Sequence, residues 1–385
     1  MSLAATLAVS LPGLYLGMTH AEISALTGTI IFGIAIFGGA FILSWGAEAA
    51  QIDISESLAV AILALLAVLP EYAVDFVFTW KAAHDPSQAH YAIANMTGAN
   101  RLLVGLGWPV VLLLYVLVRK RKEIILQQSQ RAEIFYLGLA TLYSFTIPLK
   151  GSLNLIDTVI LVSIFALYTR RIAKMPQEEP ELAGPVKIVA NLSDGWRRFL
   201  TIAMFAYAGS VIFFVSEPFA ESLVMMGHEF NVNEFLLVQW LAPLASESPE
   251  FIIAATWTLR GAASSALKAL ISSKVNQWTL LIGTIPLVFA ISGGVIRPFV
   301  LDGLQVHELV LTAAQSLFGV AVLINLRLNR TDGTLLAVLF FAQLIVEQIR
   351  IEVTIIYLAL AVFFLIAHRK SLLPAMLTGL GIRGK

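Results

Sequence analysis

Apolar runs of about 20 residues recur along this chain, and each is long enough to cross ~30 Å of hydrocarbon at about 1.5 Å per helical residue. With no water in the bilayer core, each segment must bond its own backbone amides, so runs of this length are helices. They fall at residues 27–47, 57–80, 90–118, 132–148 and 156–168. After a polar, proline-containing stretch at 170–198, they resume at 199–219, 233–259, 262–291, 308–326, 334–346 and 352–367. The pattern predicts an all-α polytopic membrane protein with about 11 spans. Composition agrees: 58% of the 385 residues are hydrophobic, 13% are charged, and mean hydropathy is +0.83. That is outside the range of soluble domains. Residues 1–26 hold a moderately apolar stretch interrupted by Pro12, with no basic residue ahead of it. It reads as an interfacial helix on the membrane surface, not as a cleaved leader.

Basic and acidic residues number 25 each, so no electrostatic case for nucleic acid exists. Cysteine is absent, which excludes disulfides, thiolate metal sites and cysteine nucleophiles. The histidines are scattered without ligand spacing, and no P-loop appears, so neither a transition-metal site nor nucleotide-driven pumping is expected. Connections holding Arg119-Lys120-Arg121-Lys122, Arg131, Arg170, Arg171, Lys174, Lys187, Arg197 and Arg198 fall on one side if the spans alternate. Arg260, Arg327, Arg330, Arg369, Lys370, Arg383 and Lys385 join them there, against Lys81, Lys150, Arg297 and Arg350 opposite. The excess places that side in the cytoplasm of an inner or plasma membrane, with the N-terminus outside and the C-terminus inside.

The two halves of the chain repeat. Pro70-Glu71 matches Pro249-Glu250, Asn100 matches Asn276, and Trp108-Pro109 matches Ile285-Pro286. Glu133 matches Glu308, and Asp157 matches Asp332, all at offsets of 175 to 179 residues. Five spans per copy is an odd number, so the copies insert in opposite directions. Inverted repeats with interrupted helices at matching places describe secondary transporters, whose substrate site lies at the repeat interface. The expected organisation is an interfacial segment at 1–26, a first repeat at 27–174 and a cytoplasmic linker at 175–198. A second repeat at 199–346 and an extra span with a tail at 347–385 complete it.

Within each repeat one region carries the chemistry, 57–118 in the first and 233–291 in the second. Glu71 and Asp75 are four apart on one helix face, and Glu247 and Glu250 are three apart on another. A carboxylate at mid-bilayer costs about 2.5–3.5 kcal/mol or more, so these residues are expected in a polar cavity. Pro70 and Pro249 are expected to break their helices and free carbonyls beside the acids. Hard cations such as calcium take six to eight oxygens. Asn95, Thr97, Ser246, Ser248, Ser273 and Asn276 are the candidate neutral ligands. Arg101 and Lys274 are cations in the same region, read as charge-compensating partners of the acids. If all six charged groups face one cavity, its balance is net minus two, which suits one divalent ion, two sodium ions or two protons. Glu133 and Glu308 read as first-turn helix charges, and Asp157 and Asp332 as membrane-edge residues.

The two Pro-Glu elements, each followed by a small and polar segment in the next span, resemble the paired alpha-repeats of the calcium/cation antiporter superfamily, the sodium/calcium exchanger-like proteins. That family pattern is approximately Thr-Ser-Leu-Pro-Glu, then a Gly-Asn and a Gly-Ser-Asn element. The resemblance covers about residues 27–346. It implies that Glu71 and Glu250 are the paired glutamates that bind the transported ion, with Asn95 on the Asn of Gly-Asn and Gly98 on the Gly of Gly-Ser. Ala67-Val68 replaces the Thr-Ser, Ala269 stands where the second Asn is expected, and Lys274 stands at the following Asn position. Fewer neutral ligands and two built-in cations shift the expectation from sodium towards proton exchange.

The sequence therefore predicts a secondary active antiporter, not an enzyme. It needs no cofactor and moves calcium or another cation against protons or sodium by alternating access. Its partners are the lipid bilayer and inorganic cations. The alternative is a diverged family member that no longer transports and acts as a sensor. An intramembrane enzyme lacks a nucleophile–base arrangement and leaves the symmetry between the halves unexplained.

Overall fold

The computed structural model describes residues 2–21, 23–53, 69–175 and 184–382. The first part of the span expected from residue 57, with Ala67 and Val68, lies outside the described residues, as do Arg383 and Lys385. The described chain is mostly helical. Among the described residues, seven helices are long and apolar enough to cross a membrane: Ala25–Ala50, Pro86–Arg119, Gln128–Lys150, Asp194–Phe230, Ala263–Gly293, Gly303–Leu323 and Glu347–Ala367. Leu155–Ile172, Glu234–Arg260 and Arg330–Ile345 are helices at three further places where the hydropathy pattern calls for spans.

The chain divides into two compact units, each drawing on both halves of the sequence. The first takes Met1–Asn95 and Ala173–Pro249, the second Met96–Ile172 and Glu250–Lys385.

In the first unit, Ala25–Ala50 packs antiparallel against Asp194–Phe230 along most of its length. Small residues make this possible: Gly28 faces Ser222 and Gly39 faces Val211, where a Cβ would collide, and Gly46 lies tightly against Phe205. Lipid supplies no hydrophobic drive between helices, so such close backbone contact carries the association. Phe41, Ile42, Trp45, Met204 and Ala208 form the buried cluster beside this seam. The N-terminal helix Leu3–Thr19, read from sequence as a surface segment, lies lengthwise against the same pair. Ser10 shares a 2.8 Å hydrogen bond with the Tyr207 hydroxyl, Gly13 meets Ala35, and Gly17 meets the Phe214 carbonyl. At one end Arg197 grips Asp53 with two hydrogen bonds of 2.8 Å, and Arg198 adds a third at 3.0 Å. The Arg197 hydrogen bond, ahead of the other contributions, holds the Asp53 carboxyl well below the usual carboxylate range.

The second unit contains two elements built to the same measure. Ala89–Leu102, whose first residues belong to the first unit, runs into a π-helical turn at Leu103–Gly107 and then Trp108–Arg119. Ala263–Asn276 runs into a π-helical turn at Gln277–Leu281 and then Ile282–Gly293. The three segment lengths are identical, and the register is displaced by 174 residues. Asn100 thus corresponds to Lys274, not to Asn276 as the sequence pattern suggested, and Trp108 corresponds to Ile282. The correction follows from the equal segment lengths, which run without a gap from Ala89 to Arg119 and from Ala263 to Gly293. Strands cross-pair in the same spirit: Glu123–Ile125 lies antiparallel to Arg327–Asn329, and Ser152–Leu153 to Phe299–Val300.

Helix starts are matched as well. Gln127 with Gln130, and Asp302 with Gln305, form reciprocal capping boxes, as do Asn329 and Asp332. Asn154 and Asp157 make the equivalent exchange, with the Asn154 amide donating to Asp157 at 2.7 Å. Asp157 and Asp332, each three residues after an asparagine, thus accept from orphan backbone donors at their helix starts. The extra helix Arg350–Ala367 packs on Gly303–Leu323 through Phe318, Tyr357 and Phe364. The last helix, Arg369–Leu380, returns to Arg131–Ser144 and sets Gly379 against Phe135.

Two predictions follow from this packing. Gly105 in the first π turn abuts the Phe340 ring with no room for a Cβ. Gly105→Val should cost about 1–3 kcal/mol, read as a lower Tm in detergent that Phe340→Ala partly restores. The Asp53 cluster should respond to acid in a defined direction. Its folded pKa lies below the unfolded one, so its stabilisation is complete above about pH 4 and fades as pH falls from there. The Tm gap between wild type and Asp53→Asn should hold from neutrality to about pH 4 and close below it. A gap already closed at neutral pH would contradict the assignment.

Candidate functional site

In the first unit, the described helix Leu69–Ala82 carries Pro70, Glu71 and Asp75, all three buried. Glu71 is 0% exposed and Asp75, one turn on, is 3% exposed. Asn95 donates its amide to Asp75 at 2.7 Å and is itself fully buried. Among the described residues, both oxygens of Glu71, the second oxygen of Asp75, the Asn95 amide oxygen and the Thr79 hydroxyl have no hydrogen-bond partner. Ser246 adjoins Glu71, and its hydroxyl also reaches the Ala242 carbonyl at 3.1 Å. Glu247 is fully buried. Ser248 is half-buried, and its hydroxyl is turned back to the Leu244 carbonyl of its own helix. The unit thus gathers buried oxygen acceptors with few donors, the chemistry that suits a cation.

Pro249 does not break its helix. Glu234–Arg260 continues through both Pro243 and Pro249. A single missing N–H frees the carbonyl one turn earlier and bends a helix, and in a membrane neighbouring groups can re-satisfy it without ending the helix.

In the second unit, Glu250 is half-buried and accepts from the Ser273 hydroxyl at 3.4 Å. Thr97 and Asn276 are buried. Arg101 is fully enclosed, with Nη1 on the Gln343 side-chain oxygen at 2.8 Å and Nη2 paired to Glu308. Arg350 reaches the other Glu308 oxygen at 2.7 Å. Lys274, also fully buried, donates to the side-chain and main-chain oxygens of Asn100 at 2.9 and 3.0 Å and lies 4.5 Å above the Trp278 ring.

Both cations are therefore held by structural partners, and Glu308 is the acid that sequence reasoning assigned elsewhere. Its helix begins at Gly303, so Glu308 lies beyond the first turn and cannot serve as a terminal charge. Its signal in the sequence is the match to Glu133, which does sit in a first turn and is also buried. Asn100 and Thr79 likewise belong to the buried polar set, and the amide of Asn100 is in the matched segment.

Among the described residues, neither unit gathers three histidine or acidic side chains into a metal-holding group. Two cavities, of about 480 and 850 Å³, flank Leu69–Ala82 and the distal part of Asp194–Phe230. Lys81 lines the smaller one and bridges Glu217 at 3.1 Å and Glu221 at 2.5 Å. Glu71, Asp75 and Asn95 form no part of either wall.

The profile of the sodium/calcium exchanger protein family matches residues 24–172 and 200–347. A crystal structure titled H+/Ca2+ exchanger CAX is similar over 99% of this chain and 97% of its own, at 42% identity and a TM-score of 0.95. The structure of native YfkE covers 89% of this chain and 98% of its own, at 16% identity and a TM-score of 0.63. A sodium-calcium exchanger titled NCX_Mj covers 86% and 98%, at 14% identity and a TM-score of 0.53. The last two show likeness of fold. No curated protein matches.

The Arg101–Glu308–Arg350 cluster yields a prediction. Removing one member of a buried pair typically costs about 3–5 kcal/mol, because the other charge is stranded. Glu308→Gln should lower thermal stability in detergent steeply. Adding Arg101→Met to it should recover part of the loss; strict additivity would show that the two groups do not depend on each other.

Proposed function

We propose, from the premise that the chain belongs to the sodium/calcium exchanger protein family, that this integral membrane protein is a secondary active antiporter moving calcium or a similar cation against protons. The observation that carries the proposal is the buried, donor-poor oxygen set around Glu71, Asp75 and Asn95, in a chain 42% identical over nearly its full length to a protein titled as an H+/Ca2+ exchanger. Glu71 and Glu250 are the proposed principal ligands. Asp75, Glu247, Asn95, Thr97, Ser246, Ser273 and Asn276 are the supporting set, and Ser248 is the weakest member because its hydroxyl is committed to its own helix. Pro70 and Pro249 each withhold one backbone N–H beside a glutamate.

The matched helix–π–helix elements and the cross-paired strands support reading 27–174 and 199–346 as inverted repeats of five spans each, with an eleventh span after them. Loop charge supports an outside N-terminus and a cytoplasmic C-terminus in an inner or plasma membrane. In alternating access, the ion enters from one face, the ligating oxygens replace its water, and a population shift opens the other face. The carboxylates bind a cation only when ionised, so protons compete directly for the same oxygens. Acidification on one face thus drives release there, which is the coupling that exchange requires. The Arg101–Glu308 pair takes the arginine charge out of the cation's way.

Calcium uptake into proteoliposomes under an imposed pH gradient tests the reading. Wild type should take up calcium when the lumen is acid and lose that uptake when a protonophore collapses the gradient. Glu71→Gln and Glu250→Gln should each abolish it while retaining the fold. Uptake indifferent to the gradient, or unchanged in both variants, would overturn the proposal.

A further inference from the structure

Lys274 sits in a setting that selects for positive charge. Its Nζ has three N–H groups, and its described neighbours include two oxygens of Asn100, at 2.9 and 3.0 Å, and the face of the Trp278 ring at 4.5 Å. A carbonyl oxygen, an amide oxygen and an aromatic face are all partners that a cation gains from. Asn100 is oriented for this task. Its side-chain nitrogen is spent on the Met96 carbonyl at 2.9 Å, which turns Oδ1 towards Lys274. Its main-chain carbonyl lies in the turn just before the π segment Leu103–Gly107, where the hydrogen-bond ladder changes step.

The register adds a second fact. Lys274 occupies, in the Ala263–Asn276 helix, the position that Asn100 occupies in Ala89–Leu102. One half of the chain places oxygen ligands at this point, and the other half places an ammonium on them. Oxygen sets that include backbone carbonyls replace the hydration shell of alkali cations in membrane proteins. One residue before Lys274, Ser273 reaches Glu250, so the fixed charge lies beside a candidate ligand of the transported ion.

We propose that the Lys274 ammonium is a tethered cation filling an alkali-cation position at Asn100, and that it makes exchange by this chain independent of sodium and potassium. The inference rests on the antiport reading above, which it deepens by naming the residue that excludes alkali counter-ions. A flexible lysine stem delivers the charge without ever leaving, so no alkali ion need bind or be released in the cycle.

The test compares wild type with Lys274→Asn, Lys274→Gln and Lys274→Arg. Calcium uptake into proteoliposomes is measured with sodium, potassium or N-methylglucamine as the accompanying chloride salt. Wild type and Lys274→Arg should not distinguish the three salts, whereas the amide variants should change rate severalfold between an alkali salt and the organic one. In parallel, Tm in detergent is measured across the same salts, which reads ion binding without transport. Sodium or potassium should raise the Tm of the amide variants and leave wild type unmoved. Wild type that responds to alkali salts, or folded amide variants that respond in neither assay, would overturn the proposal. Amide variants that fail to fold would also reject it, since Lys274 would then be a structural brace. If wild type shows no calcium flux while the amide variants still gain an alkali-dependent Tm, the antiport reading fails and the cation position stands.

Discussion

A charge buried in hydrocarbon must find a partner, and the way this chain meets that requirement organises its interior. A lone ionised group there costs about 2.5–3.5 kcal/mol or more. Arg101 meets the demand with Glu308, which Arg350 also holds, and Lys274 meets it with the oxygens of Asn100. Asp75 receives one amide from Asn95. Glu71 is enclosed completely with both oxygens open among the described residues. The cations of the second unit are thus committed, while the acids of the first retain unfilled acceptors.

The same shortage of water shapes the backbone. Four helix starts in the second unit are finished by side chains, through the pairs Gln127–Gln130, Asn154–Asp157, Asp302–Gln305 and Asn329–Asp332. Among the described residues, the backbone departs from regular helix at two matching π turns, Leu103–Gly107 just after Asn100 and Arg101 and Gln277–Leu281 just after Lys274 and Asn276. Irregular backbone at membrane depth is tolerated where it is buried in protein or lines a cavity. Its placement at matching points of the two halves ties the architecture to the site.

Much of this was legible before the structure. The apolar runs marked the helices because span length is fixed by bilayer thickness, and Glu71 and Asp75 declared themselves as paired acids on one buried face. Other features had no sequence signature. The π turns at Leu103–Gly107 and Gln277–Leu281 follow no residue pattern, so the register of Asn100 against Lys274 was missed in favour of the chemically similar Asn276. Glu308 was misread because hydropathy placed the start of its span at the charge, whereas the helix begins five residues earlier at Gly303. Pro249 was expected to end a helix that tertiary packing carries through it. The N-terminal helix gave no strong amphipathic pattern, and its contacts with Tyr207 and Phe214 depend on residues some 200 positions away.

The central claim is that the buried, donor-poor acid Glu71 of the first unit is built to hold a cation. Anomalous diffraction from crystals soaked in strontium, as a calcium surrogate, measures this directly. The account predicts a peak with Glu71 carboxylate oxygens at about 2.3–2.6 Å, absent from crystals of Glu71→Gln. A peak bound by other residues, or a Glu71 that remains unliganded in saturating strontium, would contradict it.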